Sequence, residues 1–193
     1  MTQIHMDFKP WKTCKTETIL ENKYVRFKVD DFETGDGVAG KYWYVDNPEN
    51  AVAVIGQLSE DEFVLVREYR HLCKAVSLGH IGASIEPGET PEGAAAREME
   101  EEAGYRPGTL VRLGGQFSLP ALSTEYVEVF LAQDLQPVPS HPEEYEQIEP
   151  VVMSAEEIDA AIRNGEVIDG ITITAWFRVK QFLNLPVVSN VEL

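Results

Sequence analysis

Apolar residues recur along this chain with two different spacings, and the points where one gives way to the other mark its elements. Thr16–Leu20, Tyr24–Asp31 and Lys41–Asp46 carry β-branched and aromatic residues between Gly, Asp and Asn turn signals such as those of Glu33–Gly40, which predicts strands. Ala51–Gly56 and Phe63–Arg67 are short, almost continuously apolar runs, the pattern of strands covered on both faces. Thr90 then offers an N-cap oxygen, Pro91 needs no N–H at a first helical position, and Gly104 supplies a C-terminal stop. One helix of about three to four turns is predicted between them. Leu110–Phe117 and Tyr126–Ala132 return to strand alternation, with a shorter strand at Glu149–Met153. Gln136–Gln147 is rich in Pro and Glu without periodicity and predicts a long loop, a class that is often functional. Ser154 to Glu157 form a capping box that opens a helix to Asn164, closed by Gly165, and Ile171–Leu183 has helical spacing. Strands on either side of one helix, followed by late helices, predict an α/β fold, an α/β/α sandwich on a mixed sheet. Residues 1–45 form a strand-rich segment before the main domain at 46–193.

The bulk properties narrow the functions open to such a fold. At 193 residues the chain suits one domain with a small appendage. No apolar run is long enough to cross a bilayer, and the first residues lack the basic-then-apolar layout of a secretory signal. Cys14 and Cys73 are too few and too isolated for a disulfide framework or a zinc site, so free thiols in a reducing cytoplasm are expected. The formal net charge of −17 argues against nucleic acid as a partner, because such binders carry basic surfaces. A small phosphorylated ligand is still admitted, since metal ions and a few arginines offset charge locally.

The chemistry concentrates in the predicted helix. Glu98, Glu101 and Glu102 stand at i, i+3 and i+4 and share one face, while Ala95, Ala96, Met99 and Ala103 lie on a neighbouring face able to pack on a core. Such a stripe has two readings. It is either a solvated face in an acidic protein or a place where a hard divalent cation relieves the repulsion. Glu89 lies eight residues before Arg97, and Arg97 directly precedes Glu98. This arrangement resembles the Nudix box, G-x5-E-x7-R-E-U-x-E-E-x-G-U with U a bulky apolar residue. Glu89, Arg97, Glu98, Met99, Glu101, Glu102, Gly104 and Tyr105 fall at its positions. The first Gly of the pattern is replaced by Ala83, with Gly82 just before it; where a backbone needs φ > 0, Ala costs on the order of 1 kcal/mol.

The flanks are similar to the members that act on ADP-ribose and nucleoside diphosphate sugars. Pro120 lies sixteen residues beyond Gly104 and is followed by Glu125, Arg67-Glu68-Tyr69-Arg70 matches an R-Q-Y-R-like strand end, and Glu144 to Glu149 with Gly165 to Asp169 match a terminal pattern. Two departures are Ala121 for a usual Gly and Gly79-His80-Ile81 for a usual E-L-P. The resemblance implies a Mg²⁺-dependent hydrolase (Mn²⁺ as substitute) that cleaves the diphosphate into a nucleoside monophosphate and a sugar phosphate. It implies Glu98 and Glu102 as principal metal ligands, Glu101 as a bridging or weaker one, and the backbone carbonyl of Gly82 as a further ligand. Glu89, Arg97 and Gly104 become structural members of the box. The general base is a late-loop glutamate, Glu146 in preference to Glu144. Arg70, with Arg67, would clamp the diphosphate or terminal ribose, and Pro120 and Glu125 would help to bind substrate. Trp43 and Tyr24 either stack on the base or pack in the sheet or across a dimer interface. Similar enzymes are homodimers whose N-terminal strands pair with the partner. A triphosphate or dinucleoside polyphosphate pyrophosphatase, or a non-catalytic nucleotide-sugar sensor on the same fold, are the alternatives. The intact Glu98, Glu101 and Glu102 favour activity.

Overall fold

Three successive strands open the structure: β1 (Lys12–Glu21), β2 (Arg26–Glu33) and β3 (Ala39–Asp46). They pair antiparallel in chain order, with Glu21 opposite Arg26 and Glu33 opposite Ala39. The β2–β3 turn is closed by Thr34, whose carbonyl accepts from Gly37 N–H at 2.9 Å and whose hydroxyl accepts from Val38 N–H at 3.1 Å. All of β1 is exposed, and among the described residues β2 is its one strand neighbour. The computed structural model describes residues 9–23, 25–47, 49–141 and 147–186. The predicted base candidates Glu144 and Glu146, and Tyr24, therefore lie outside the described residues. Leu119–Glu125 joins β1–β3 in one compact unit, through bonds from Val45 N–H to Leu122 O (2.8 Å) and from Thr124 N–H to Val45 O (3.1 Å).

A second compact unit holds the remaining described residues. Its elements are β4 (Ala51–Ser59), β5 (Glu62–Arg70), β6 (Ala75–Gly79), α1 (Pro91–Glu101), β7 (Tyr105–Arg106), β8 (Thr109–Phe117), β9 (Tyr126–Gln133), β10 (Gln136–Pro137), β11 (Ile148–Met153), α2 (Ala155–Asn164) and α3 (Gly170–Leu183). The main sheet runs β11-β5-β4-β9-β8, with β6 also on β5; β4 and β9 are parallel and the other pairs antiparallel. Alternate side chains of these strands feed two cores. Ala53, Ile55, Leu65 and Val129 face α2 and α3, whereas Val52, Val54, Val64 and Phe130 face α1, and all are essentially fully buried. Helices on both faces of a mixed sheet make the sandwich that the patterning predicts. Among the described residues, no helix is long and apolar enough to cross a membrane.

One irregularity of this sheet positions the site. β4 and β5 pair at Gly56–Val64 and Gln57–Phe63, then part. Beyond that point β5 continues with β6, up to Val66 opposite Gly79, and β4 continues with the next residues, Val54 opposite Ile81 and Ala51 opposite Ser84. The chain from β6 to Ser84 thus fills a fork and changes partner between Gly79 and Ile81. Patterning did not predict β6, a five-residue strand interrupted by Ser77 and ended by Gly79, because its pairing is decided by β5. β7 and β10, two residues each, pair with each other and place a short ladder inside the predicted 136–147 loop.

The helix ends follow local chemistry. Thr90 Oγ1 accepts from Gly93 N–H at 3.1 Å, and Pro91 is the first residue of α1. The helix closes at Glu101, and Gly104, with φ +73°, turns the chain away from it. Ser154 and Glu157 cap α2 reciprocally, and Gly165 ends it in the left-handed conformation. Asp169 caps α3, accepting from Ile171 and Thr172 N–H at 3.0 Å each. Burial would push its carboxyl up, but hydrogen bonds from His80 and Thr172 outweigh that and hold it well below the usual carboxylate range. Between α2 and α3, Asp159 accepts from Trp176 Nε1 at 2.8 Å and from the buried Lys180 Nζ at 2.6 Å.

Asp159→Asn strips Lys180 of its counter-charge in a buried position and should cost about 3 kcal/mol in urea unfolding. Adding Lys180→Met should recover most of that loss, since an apolar pair leaves no charge behind. Because the folded Asp169 titrates below its unfolded form, its stabilisation is complete at neutral pH and is lost as the pH falls. The gap in thermal midpoint between wild type and Asp169→Asn should therefore narrow below about pH 4, the unfolded value.

Candidate active site

The loop that feeds α1 is organised by an arginine on the helix. Glu86 and Glu89 make a tight turn in which Glu89 N–H donates to Glu86 O (2.9 Å) and Glu86 N–H to Glu89 Oε2 (3.1 Å). Arg97 reaches back with Nε to Glu89 Oε1 and Nη2 to Glu89 Oε2, both at 3.1 Å, a two-point contact that fixes loop to helix. Its remaining nitrogen, Nη1, donates to Glu98 Oε1 at 2.5 Å and Glu101 Oε2 at 3.1 Å. The bonds to Glu89, resisted by burial and reinforced by Glu98 and Glu101, raise Arg97 far above its ordinary value. Arg97 in turn draws Glu89 below the usual carboxylate range.

Glu98 and Glu102 are 5% and 6% exposed, so two carboxylates one helical turn apart are taken almost wholly out of water. Glu101, between them in sequence, keeps 44% of its side chain exposed. A buried charge is costly unless it is paired. Glu102 Oε2 accepts from the backbone N–H of Gly82 at 3.1 Å, which brings the fork segment against α1. Ile81 and Ala83 turn their carbonyls to β4, where Val54 and Val52 N–H donate at 2.7 and 3.0 Å. Between those two carbonyls the Gly82 N–H points the other way, to Glu102.

The glycine requirement of this loop falls at Gly82. Its φ is +147°, and an added Cβ would collide with the carbonyl oxygen of Val52. Ala83, at the position of the box glycine, is not among the residues with positive φ and carries no such strain.

The donor set is oxygen only: two buried carboxylates, a third at the edge and a backbone carbonyl. That chemistry fits a hard divalent cation. Among the described residues no three His, Cys, Asp or Glu side chains already form a metal cage, because Glu98 and Glu101 turn to Arg97 and Glu102 to Gly82. The late loop borders the same place. Val138 N–H donates to Gly104 O (2.9 Å) and His141 N–H to Glu101 O (3.0 Å), capping α1, and Arg97, Glu100, Glu101, Pro139 and His141 line a cleft of about 400 Å³. His141 belongs to the loop predicted at 136–147, and nothing in its local sequence marks it.

The structure gathers Gly82, Glu89, Arg97, Glu98, Glu101, Glu102 and Gly104. Arg67 is exposed on β5 opposite Glu149, and Arg70, at the end of that strand, pairs with Glu68 at 3.0 Å. Trp43, Pro120 and Glu125 belong to the other unit. There Trp43 is 47% exposed and stacks beside Phe27 with centroids 6.0 Å apart, Pro120 is exposed, and Glu125 Oε1 accepts from Asn47 Nδ2 at 3.3 Å.

A sandwich whose α1 face offers buried carboxylates beside a glycine peptide has oxygen donors that could take a dication. The chain belongs to the Nudix family, whose domain matches residues 47–183; it is a Nudix hydrolase. It is 31% identical over 166 residues to the ADP-ribose pyrophosphatase of Bacillus subtilis (strain 168), covering 85% of this chain and 89% of that protein. It is 25% identical over 167 residues to the ADP compounds hydrolase NudE of Escherichia coli (strain K12), covering 86% and 90%. A crystal structure of an ADP compounds hydrolase shares the fold with a TM-score of 0.84 over 93% of this chain and 97% of that one, at 23% identity.

Gly82→Ala should destabilise the protein by about 2 kcal/mol or more in chemical denaturation, whereas Ala83→Gly should cost less than about 1 kcal/mol.

Proposed function

We propose that this chain hydrolyses the diphosphate linkage of ADP-ribose or a related nucleoside diphosphate sugar, releasing a nucleoside monophosphate and a sugar phosphate. The observation that carries this reading is the pair Glu98 and Glu102, each more than nine-tenths buried on one helix, with the Gly82 peptide against them. The activities printed for the two relatives, ADP-ribose pyrophosphatase and ADP compounds hydrolase, support the substrate class.

Mg²⁺, with Mn²⁺ as its substitute, suits the all-oxygen set and when bound supplies polarisation of phosphorus, a more acidic water and charge neutralisation at the leaving oxygen. Glu98 and Glu102 would hold it as principal ligands, with Glu101 a weaker one and the Gly82 carbonyl a further candidate. Glu89 holds Arg97, and Arg97 spaces the glutamates. Arg70, aided by Arg67, meets the anionic diphosphate. A late-loop glutamate, Glu146 in preference to Glu144, takes the proton of the attacking water. Support for that role comes from the loop's ends: His141 is tied to Glu101, and Gln147 O accepts from Tyr69 N–H at 3.4 Å.

Trp43 and Tyr24 stack on the base, and Pro120 and Glu125 shape its surroundings. Residues 1–45 form the dimerisation segment of a homodimer and 46–193 the hydrolase domain; the open edge of β1 supports the first assignment. A cytoplasmic location agrees with the free, exposed Cys14 and Cys73.

Glu98→Gln and Glu102→Gln should each lower turnover on the order of a hundredfold or more with the fold intact by circular dichroism. EDTA should abolish activity, and ADP-ribose should yield AMP and ribose 5-phosphate. Near-normal turnover in either variant would falsify the reading. So would release of inorganic diphosphate from triphosphates with ADP-ribose left untouched.

A further inference from the structure

His80 stands where the fork segment changes partner, between Gly79 on β5 and Ile81 on β4. At that crossing its backbone N–H donates to Thr172 Oγ1 of α3 at 3.0 Å rather than to a strand. The ring follows the backbone: Nδ1 lies 2.8 Å from Thr172 Oγ1 and 3.1 Å from Asp169 Oδ2. Thr172 gives its own hydroxyl proton to Asp169 Oδ2 at 2.6 Å. With acceptors on both sides, Nδ1 has to carry a proton, an assignment made from the network. Thr172 is fully buried and the side chains of His80 and Asp169 are 11% and 25% exposed, so most of this network is withdrawn from water.

Two residues further on, the Gly82 peptide faces Glu102. The stretch from Gly79 to Ala83 has glycine at 79 and 82, so few side chains limit its backbone. Ties to its neighbours replace that limit, among them the bond from Val52 N–H to Ala83 O at 3.0 Å. His80 binds α3, Ile81 exchanges bonds with Val54 of β4 at 2.7 and 3.0 Å, and Gly82 binds α1. The Ile81 N–H bond is one that the proline of the E-L-P pattern could not make. The tie to α3, on the opposite sheet face from the glutamates, is supplied entirely by His80 and the α3 cap.

We propose that His80, through Thr172 and Asp169, is a positioning residue for the metal site, holding the Gly82 peptide in place against the carboxylates that would bind the ion. This rests on the assignment of Glu98, Glu102 and Gly82 as ligands. The clamp acts before substrate arrives, so its effect is read in ion affinity.

The test is titration of the substrate-free protein with Mn²⁺, free ion being followed by electron paramagnetic resonance, alongside thermal unfolding. His80→Ala should weaken Mn²⁺ binding about tenfold, and His80→Asn, whose amide can donate to Asp169, should return it to within about threefold of wild type. Thr172→Val, close in shape but without the hydroxyl, should follow His80→Ala and carries the comparison if that variant does not fold. Asp159→Asn, which loosens α3 through a different contact, should lower the unfolding midpoint and leave Mn²⁺ affinity unchanged. In turnover assays the His80→Ala defect should lie in the metal concentration needed for half activation, with kcat at saturating metal within about threefold of wild type. Wild-type Mn²⁺ binding in His80→Ala overturns the clamp, as does equal weakening in Asp159→Asn or no rescue by asparagine. Intact Mn²⁺ binding in Glu98→Gln instead overturns the site assignment, and the clamp with it.

Discussion

Arg97 reaches three carboxylates at once, holding Glu89 with two nitrogens and sharing the third between Glu98 and Glu101. With Glu102 added, four carboxylates stand against one guanidinium, an excess of three negative charges around a helix face that is partly withdrawn from water. Desolvation of even one such ion costs several kcal/mol after relaxation, and the arginine and the Gly82 amide offset part of that cost. The same bonds that make the cluster foldable turn its oxygens to Arg97 and to the Gly82 amide. A dication entering there would take over part of the arginine's role.

The sheet solves the complementary problem, that of delivering backbone to the cluster. Because β4 and β5 part after Gly56 and Val64, a third segment can run between them and still have its peptides satisfied. That segment passes so close to Val52 that residue 82 has to lack a Cβ, whereas residue 83 does not. Motif spacing alone places the glycine one residue later. The geometry shows that a close approach to the neighbouring strand is what demands it.

How far the chain can be read without coordinates depends on sequence separation. Caps at Thr90, Ser154 and Gly165 involve residues within a few positions of each other, and the structure forms them where the sequence predicts. The strands at 51–56 and 63–67 are legible because their burial leaves apolar runs, and the strand at 126–132 through its alternation. Glu89 and Arg97 were legible as a pair because eight residues of loop and helix bring them together. His80 and Thr172 are ninety-two positions apart and Trp176 and Asp159 seventeen, and nothing local marks either contact. β6 was invisible for the same reason: only β5 makes its five residues a strand. The three glutamates share a helix face as the spacing requires, yet only two of them are buried, a distinction set by the sheet beneath.

The outer rim of β1 carries ten exposed residues and one hydrogen-bonding neighbour among those described. A bare rim of that length is an invitation to indiscriminate strand addition and aggregation. Lys12, Lys15, Glu17 and Glu21 punctuate it with both signs of charge. An incoming strand in the wrong register would set like charges opposite each other, so the rim discriminates by alignment, admitting a charge-matched companion and discouraging the rest.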